Sequence, residues 1–142
     1  MIQRISENLY IGNWQDAIMM DQDIEAVLNL KRYNYIPARH VKSYKQIPWM
    51  YIDDPNHMEK LEEAVKFIFE QVDNLKRKTF IHCTVGVDRT LGVTLCYLIK
   101  KGMTYEEALL HLKSLNLIIP RQPVKEVINA VQNYANNCRE NV

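Results

Sequence analysis

Short runs of strand-forming residues alternate along this chain with apolar stripes at helical spacing, and that alternation limits the available folds more than any other feature. IEAVLNL at 24–30 and QIPWMYI at 46–52 read as strands, separated by the polar, aromatic stretch KRYNYIPARHVKSYK. Leu61, Val65, Ile68, Val72 and Leu75 then repeat at helical spacing over 58–75, with Asn56, three residues before Glu59, placed to cap that helix. KTFIH at 78–82 reads as a buried strand, and the run from about 90 to 101 as a helix closed by Lys100, Lys101 and Gly102. Thr104 with Glu107 is a capping-box pattern ahead of Ala108, Leu109, Leu112 and Leu115, and Pro123 opens a helix carrying Val124, Val127, Ile128 and Val131. The order predicts an α/β fold in a single domain, residues 1–142, with a central, mainly parallel sheet flanked by helices.

Composition narrows the function classes. Lys+Arg 18 against Asp+Glu 17 leaves a formal charge of +1, which removes the general electrostatic drive toward nucleic acid or an anionic membrane. Nothing approaches 18 consecutive apolar residues and MIQRISENLY lacks a secretory h-region, so no stable membrane association and a cytoplasmic location are expected. Cys83, Cys96 and Cys138 are odd in number, with no CxxC and no His pair at ligand spacing, so neither a disulfide framework nor a metal site is predicted. Cys96, in LGVTLCYLI, reads as core, and Cys138, in NNCREN, as incidental. Only Cys83 has surroundings that ask for chemistry.

In parallel sheets ligands bind beyond the carboxyl ends of the strands, and Cys83 is the residue that follows KTFIH. The segment His82-Cys83-Thr84-Val85-Gly86-Val87-Asp88-Arg89-Thr90 leaves a strand and enters a helix, as a phosphate-binding loop does. A loop wrapped onto a helix N-terminus turns successive backbone N–H groups inward, and the helix adds about half a positive charge there. Gly86 permits a φ or a close approach that a side chain would block. Arg89 offers a planar fork for two phosphate oxygens, and the same positive field favours a thiolate at Cys83.

HCTVGVDRT resembles the signature loop of the cysteine-dependent protein tyrosine phosphatases, and the opening ISENLYIGNWQDA is similar to the dual-specificity subclass. The resemblance runs from about residue 3 to about residue 134. It implies a metal-independent, cofactor-free phosphatase acting on a phosphorylated protein or peptide, phosphotyrosine foremost. It carries over Cys83 as nucleophile, Arg89 as phosphate ligand with the backbone of Thr84 to Asp88, Thr90 as the hydroxyl assisting the sulfur as leaving group, and His82 as the residue orienting the loop. The family's acid lies in the interval occupied by Asp53 and Asp54; its habit of using the second of two acidic residues favours Asp54, with Asp53 the alternative. Gln122 stands where the family has an Asn or Gln near the mouth.

Two departures from the family pattern are Asp88, where a small residue is common, and Leu91, where Gly is frequent. Asp88 and a loop interior without lysine suggest that phosphotyrosyl peptides are preferred over polyphosphorylated inositol lipids. Two other readings stand beside this one: a phosphoinositide phosphatase, suggested by the Asp-Arg-Thr ending of the loop, and a catalytically inactive phosphopeptide-binding module. Blander roles also exist: Asp53 and Asp54 as caps of the following helix, His57 and Gln122 as surface residues, His40 and His111 as solvated, and Tyr33, Tyr35 and Trp49 as core or rim.

Overall fold

Five strands, β1 (Gln3–Ser6), β2 (Leu9–Gly12), β3 (Ala26–Asn29), β4 (Ser43–Gln46) and β5 (Thr79–His82), pair in the order β1-β2-β5-β3-β4. Among the described residues only the β1–β2 pair is antiparallel. The structure is a computed structural model and describes residues 2–18, 23–52 and 54–140. The helices are α1 (Trp14–Ile18), α2 (His57–Ile68), α3 (Asp88–Lys100), α4 (Tyr105–Ser114) and α5 (Lys125–Glu140), and α2 continues as a π-helical turn over Phe69–Asn74.

β5 is the central strand, and all four of its residues are buried because both faces of the sheet are covered. Its alternation divides the interior: Ile81 joins the large core formed with α2, α3 and α5, while Phe80 joins a smaller cluster with Ala17, Ile24 and Val27. Every residue of α3 from Thr90 to Ile99 is buried, so this helix runs through the interior with the site at its N-terminus. Cys96 lies in that core, as expected, and Cys138 is half-buried against it rather than incidental.

The sequence reading assigns no strand to residues 3–12, yet β2 pairs with β5 and sets Gly12 opposite His82. Those runs are too short and too polar on one side to stand out by pattern alone. The strand expected over 46–52 lies instead at Ser43–Gln46. Its last ladder bond is Ile47 N–H to the Asn29 carbonyl at 2.9 Å, after which Pro48 has no N–H to offer and the chain leaves the sheet. The aromatic residues beyond it are buried for another reason: Trp49, 1% exposed, packs into the core and donates to His57 Nδ1 at 2.7 Å. His57 is thus a structural partner of Trp49. Asn56 makes no side-chain cap; Asp54 Oδ1 accepts from the Asn56 amide at 2.9 Å in its place. The Thr104–Glu107 capping box forms with both bonds, at 3.1 and 2.9 Å, and Gly102 closes α3 at φ +119°.

Gly92 marks where α3, α5 and Trp49 meet. A Cβ there would lie 2.9 Å from Val127 Cγ1 and 3.0 Å from the Trp49 ring, neither of which can swing away. Gly92→Ala should therefore destabilise the protein by about 1–3 kcal/mol in urea unfolding, although Ala is favoured over Gly in a helix interior by about 1 kcal/mol. A more stable variant would contradict this packing.

Candidate active site

β5 delivers the chain between β2 and β3 at their carboxyl ends, where the Leu30 amide donates to the His82 carbonyl at 2.9 Å. The next five residues form a tight loop before α3 begins at Asp88. The Thr84 carbonyl accepts from the Trp14 amide at 3.2 Å, which ties the loop to the start of α1. Gly86 is the residue this turn demands: its φ is +84°, and a Cβ would lie 2.8 Å from the Gly12 carbonyl oxygen.

The turn closes around sulfur. Cys83 Sγ accepts from the Gly86 N–H at 3.2 Å and from the Thr90 hydroxyl at 3.0 Å. Arg89 is drawn between two anchors, with Nη1 donating to the Leu30 carbonyl at 3.1 Å and Nη2 to Thr84 Oγ1 at 3.1 Å. Cys83 is only 2% exposed and sits below Val85, which is 56% exposed on the rim, while Val87 is buried beneath the helix start. Gly86 and Thr90 are thus brought onto the Cys83 sulfur, and Arg89 onto Thr84 of the same loop.

His82 supports this loop without contributing charge. Nδ1 lies 3.2 Å from the Cys83 carbonyl and Nε2 2.7 Å from the Tyr35 hydroxyl. A carbonyl can only accept, so Nδ1 carries the proton and Nε2 accepts from Tyr35. Burial depresses the imidazole to about 4, so it is neutral near pH 7. Its part is to fix the Cys83 carbonyl.

Three acidic positions fare differently. Asp88 does not present a bare carboxylate at the mouth, as the sequence suggests. Its Oδ2 and Oδ1 are 2.6 and 2.9 Å from the Arg121 guanidinium nitrogens, and Oδ1 also accepts from the Val124 amide at 2.9 Å. Tyr51 OH adds a bond at 3.3 Å. The Arg121 bonds lead in holding this carboxyl below the usual range. Electrostatic repulsion from Asp88 is therefore no ground for rejecting polyphosphates. Asp54 is buried, 2.5 Å from Lys60 Nζ, and accepts from the Asn56 amide. Burial alone would raise its carboxyl, but Lys60 and two backbone amides outweigh that and hold it low. A carboxyl kept ionised by such partners is a poor proton donor, so the geometry speaks against Asp54 as the acid and for the helix-entry role. Asp53 lies outside the described residues. Gln122 is exposed and lines a cavity of about 320 Å³ with Leu91, Leu95, Leu112 and Pro123, so the structure places it at that cavity and not against the sulfur.

Arg121, Tyr51 and Lys31 are absent from the sequence-based site, and Tyr35 enters it only as an aromatic of groove, core or rim. Lys31, at the end of β3, holds its ammonium 3.7 Å from the centroid of the Trp14 ring, and burial together with Arg89's charge lowers its basicity. A separate cavity of about 230 Å³ beside Arg89 is walled by Trp49, Met50, Tyr51 and Ile52. The aromatic richness of 46–52 was the available signal for that wall, and it pointed to a strand. Arg121, 32 residues beyond Arg89, gave no sequence signal of its own.

The depressed His82 makes stability pH-dependent. Between about pH 6.5 and 4 the unfolded chain binds a proton that the folded imidazole refuses, so stability falls as pH drops through that window. Unfolding free energy should decline by about 1.5 kcal/mol between roughly pH 6.5 and 5, above the range where Asp54 and Asp88 titrate. His82→Gln should flatten that slope, and denaturant titrations of both proteins at several pH values measure it.

The family model for the dual specificity phosphatase catalytic domain matches residues 9–134. The chain is 29% identical over 119 residues to the tyrosine-protein phosphatase yvh1 of Schizosaccharomyces pombe, covering 78% of this chain and 35% of that protein. It is 37% identical over 125 residues to dual specificity protein phosphatase 1 of Arabidopsis thaliana, covering 78% of this chain and 58% of that one. It spans 61% of the similar Monkeypox virus protein OPG106, so these relatives are longer than the stretch they share with it. The crystal structure of human DUSP28 superposes with a TM-score of 0.83 at 18% identity, over 97% of this chain and 95% of that one, which speaks for the fold. With the match spanning nearly the whole chain and a Cys–Arg–Thr loop in the matching place, the protein belongs to the dual specificity phosphatase family.

Proposed function

We propose that this protein, as one catalytic domain over 1–142, hydrolyses phosphate monoesters on proteins, phosphotyrosine first, through a phosphocysteine intermediate. The observation that carries the reading is the Cys83 sulfur, held by the Gly86 N–H and the Thr90 hydroxyl at the N-terminus of α3 with Arg89 beside it. Those donors and the helix end face the sulfur that this route makes the nucleophile. The thiolate attacks phosphorus, the bond to the ester oxygen breaks, and that oxygen leaves with a proton from a carboxylic acid. Water then attacks the phosphocysteine, its proton returns to the carboxylate, and the sulfur departs with the Thr90 hydroxyl donating to it. Arg89 and the loop amides hold the three phosphoryl oxygens throughout, and Arg89 reaches them by giving up its contact with Thr84.

We assign the acid to Asp53. Its neighbour Asp54 is committed to Lys60, and the preceding residue, Ile52, walls the cavity next to Arg89. Tyrosine is favoured over serine because the sulfur lies below a rim that includes exposed Val85, Met50 and Ile52, so a longer aromatic arm reaches it and packs on apolar neighbours. A peptide is favoured over an inositol polyphosphate on the same apolar rim and on a loop interior of Thr84, Val85 and Val87, which carries no cation. A cytoplasmic site of action suits three free thiols, and among the described residues no helix is long and apolar enough to cross a membrane.

Cys83→Ser should abolish turnover while retaining inorganic phosphate binding, because a serine hydroxyl is a far weaker nucleophile than a cysteine sulfur. Substantial residual turnover in that variant would sink the phosphocysteine route. Asp53→Asn should lower kcat by about 10² on a phenyl phosphate with a poor leaving group and much less on one with a good leaving group. Asp54→Asn should leave that leaving-group dependence intact and cost about 1–3 kcal/mol of stability through loss of the Lys60 ion pair, with Lys60 keeping only the Pro48 carbonyl among the described residues. The opposite pattern would return the acid to Asp54. Activity should persist in a strong chelator; complete loss restored by a divalent metal would contradict the metal-free mechanism.

A further inference from the structure

The catalytic loop contains one residue whose charge works against its task. Asp88 opens α3, one residue before Arg89 and two before the Thr90 hydroxyl that bonds sulfur. A carboxylate at a helix N-terminus stabilises the helix. Beside a thiolate and a bound phosphate it has the opposite effect, because it cancels the positive field on which both depend. The structure contains the remedy. Arg121, carried by the segment between α4 and α5, meets the Asp88 carboxylate through two guanidinium nitrogens at 2.6 and 2.9 Å. The Val124 amide and the Tyr51 hydroxyl complete the carboxylate's partners at 2.9 and 3.3 Å. Asp88 leads in raising the basicity of Arg121, with smaller electrostatic contributions from Tyr51 and, last, from Cys83.

We infer that Arg121 is a positioning and charge-compensating residue of the catalytic loop: it neutralises Asp88, keeps the cradle positive for thiolate and phosphate, and fixes the first turn of α3 that carries Arg89. The inference rests on the phosphatase reading for its purpose, but its electrostatic content concerns Cys83 alone. Among the described residues, the charged and titratable groups around the loop are Asp88 and Arg89 on α3, Arg121 before α5, Tyr51 beyond β4, Lys31 at the end of β3, the neutral His82 on β5 and Asp16 on α1, whose charge acts on His82; Asp53, the proposed acid, is to be added to them. Removing Arg121 leaves Asp88, the carboxylate within the loop's own helix turn, without its cation and opposed to a thiolate. A purely structural brace would behave differently, because its loss would not be repaired by deleting the charge it faced.

That difference is the test. The rate of Cys83 alkylation by iodoacetamide is followed against pH in the intact protein, with Cys96 and Cys138 replaced by Ala. The replacements are made in every variant, so they cancel in the comparison. Arg121→Gln, which keeps a hydrogen-bond donor but drops the charge, should move the midpoint of the profile upward by about one pH unit. It should also weaken inhibition by inorganic phosphate about tenfold. Arg121→Lys, which keeps the charge without the fork, should stay near the wild-type midpoint. Adding Asp88→Asn to Arg121→Gln should return the midpoint to the wild-type position. An unmoved midpoint in Arg121→Gln overturns the inference, as does a double variant still displaced like the single one. A wild-type protein that alkylates normally but turns over no phosphate ester would instead overturn the proposed function.

Discussion

The contact on which the site depends is between two backbones. Gly86 lies against the Gly12 carbonyl so closely that no side chain can come between them, and its left-handed φ of +84° turns the amide toward sulfur. That approach requires β2 to run parallel to β5 and to end level with it, which the Gly12–His82 pairing provides. The loop is therefore shaped by the sheet from below. From above it is fixed by α3, whose burial over its whole inner length leaves the helix a single position. A thiolate formed at Cys83 is met by donors already oriented, so little reorganisation is needed when phosphate arrives.

Around this cradle the protein distributes roles among groups that look interchangeable in the sequence. His82 and Arg89 are both potential cations beside Cys83, yet burial keeps the imidazole neutral as a bracket between Tyr35 and the Cys83 carbonyl. Charge is left to Arg89, whose guanidinium rests on the Leu30 carbonyl and Thr84. Asp88 and Asp54 are both held ionised, but by different cations in different places: Arg121 near the mouth and Lys60 at the entry to α2. Each carboxylate is thereby given a fixed partner that holds its segment in place.

Much of this was legible in the residues. Strand, helix and loop order followed from periodicity, because a fully covered strand such as TFIH and an interior helix such as α3 have few other ways to bury their side chains. The Thr104 capping box and the Gly102 stop are local chemistry and were read correctly for that reason. The stretch 46–52 was misread because aromatic density signals burial, not conformation, and Pro48 takes the chain out of the sheet while Trp49 is still buried. Strands β1 and β2 were missed because four-residue segments carry too few alternations to register.

What the sequence by itself determined is the chemistry offered at one point: a Cys, a Gly and an Arg at spacings that suit a strand-to-helix turn, since those constraints act over a few residues. What only the tertiary structure decided is how distant charges are spent. Asp88 meets Arg121 from 33 positions away, and His82 meets Tyr35 from 47. Whether a carboxylate repels a substrate or an imidazole carries a charge depends on such partners and on the water that packing removes. Neither is a property of the residue or of its neighbours along the chain.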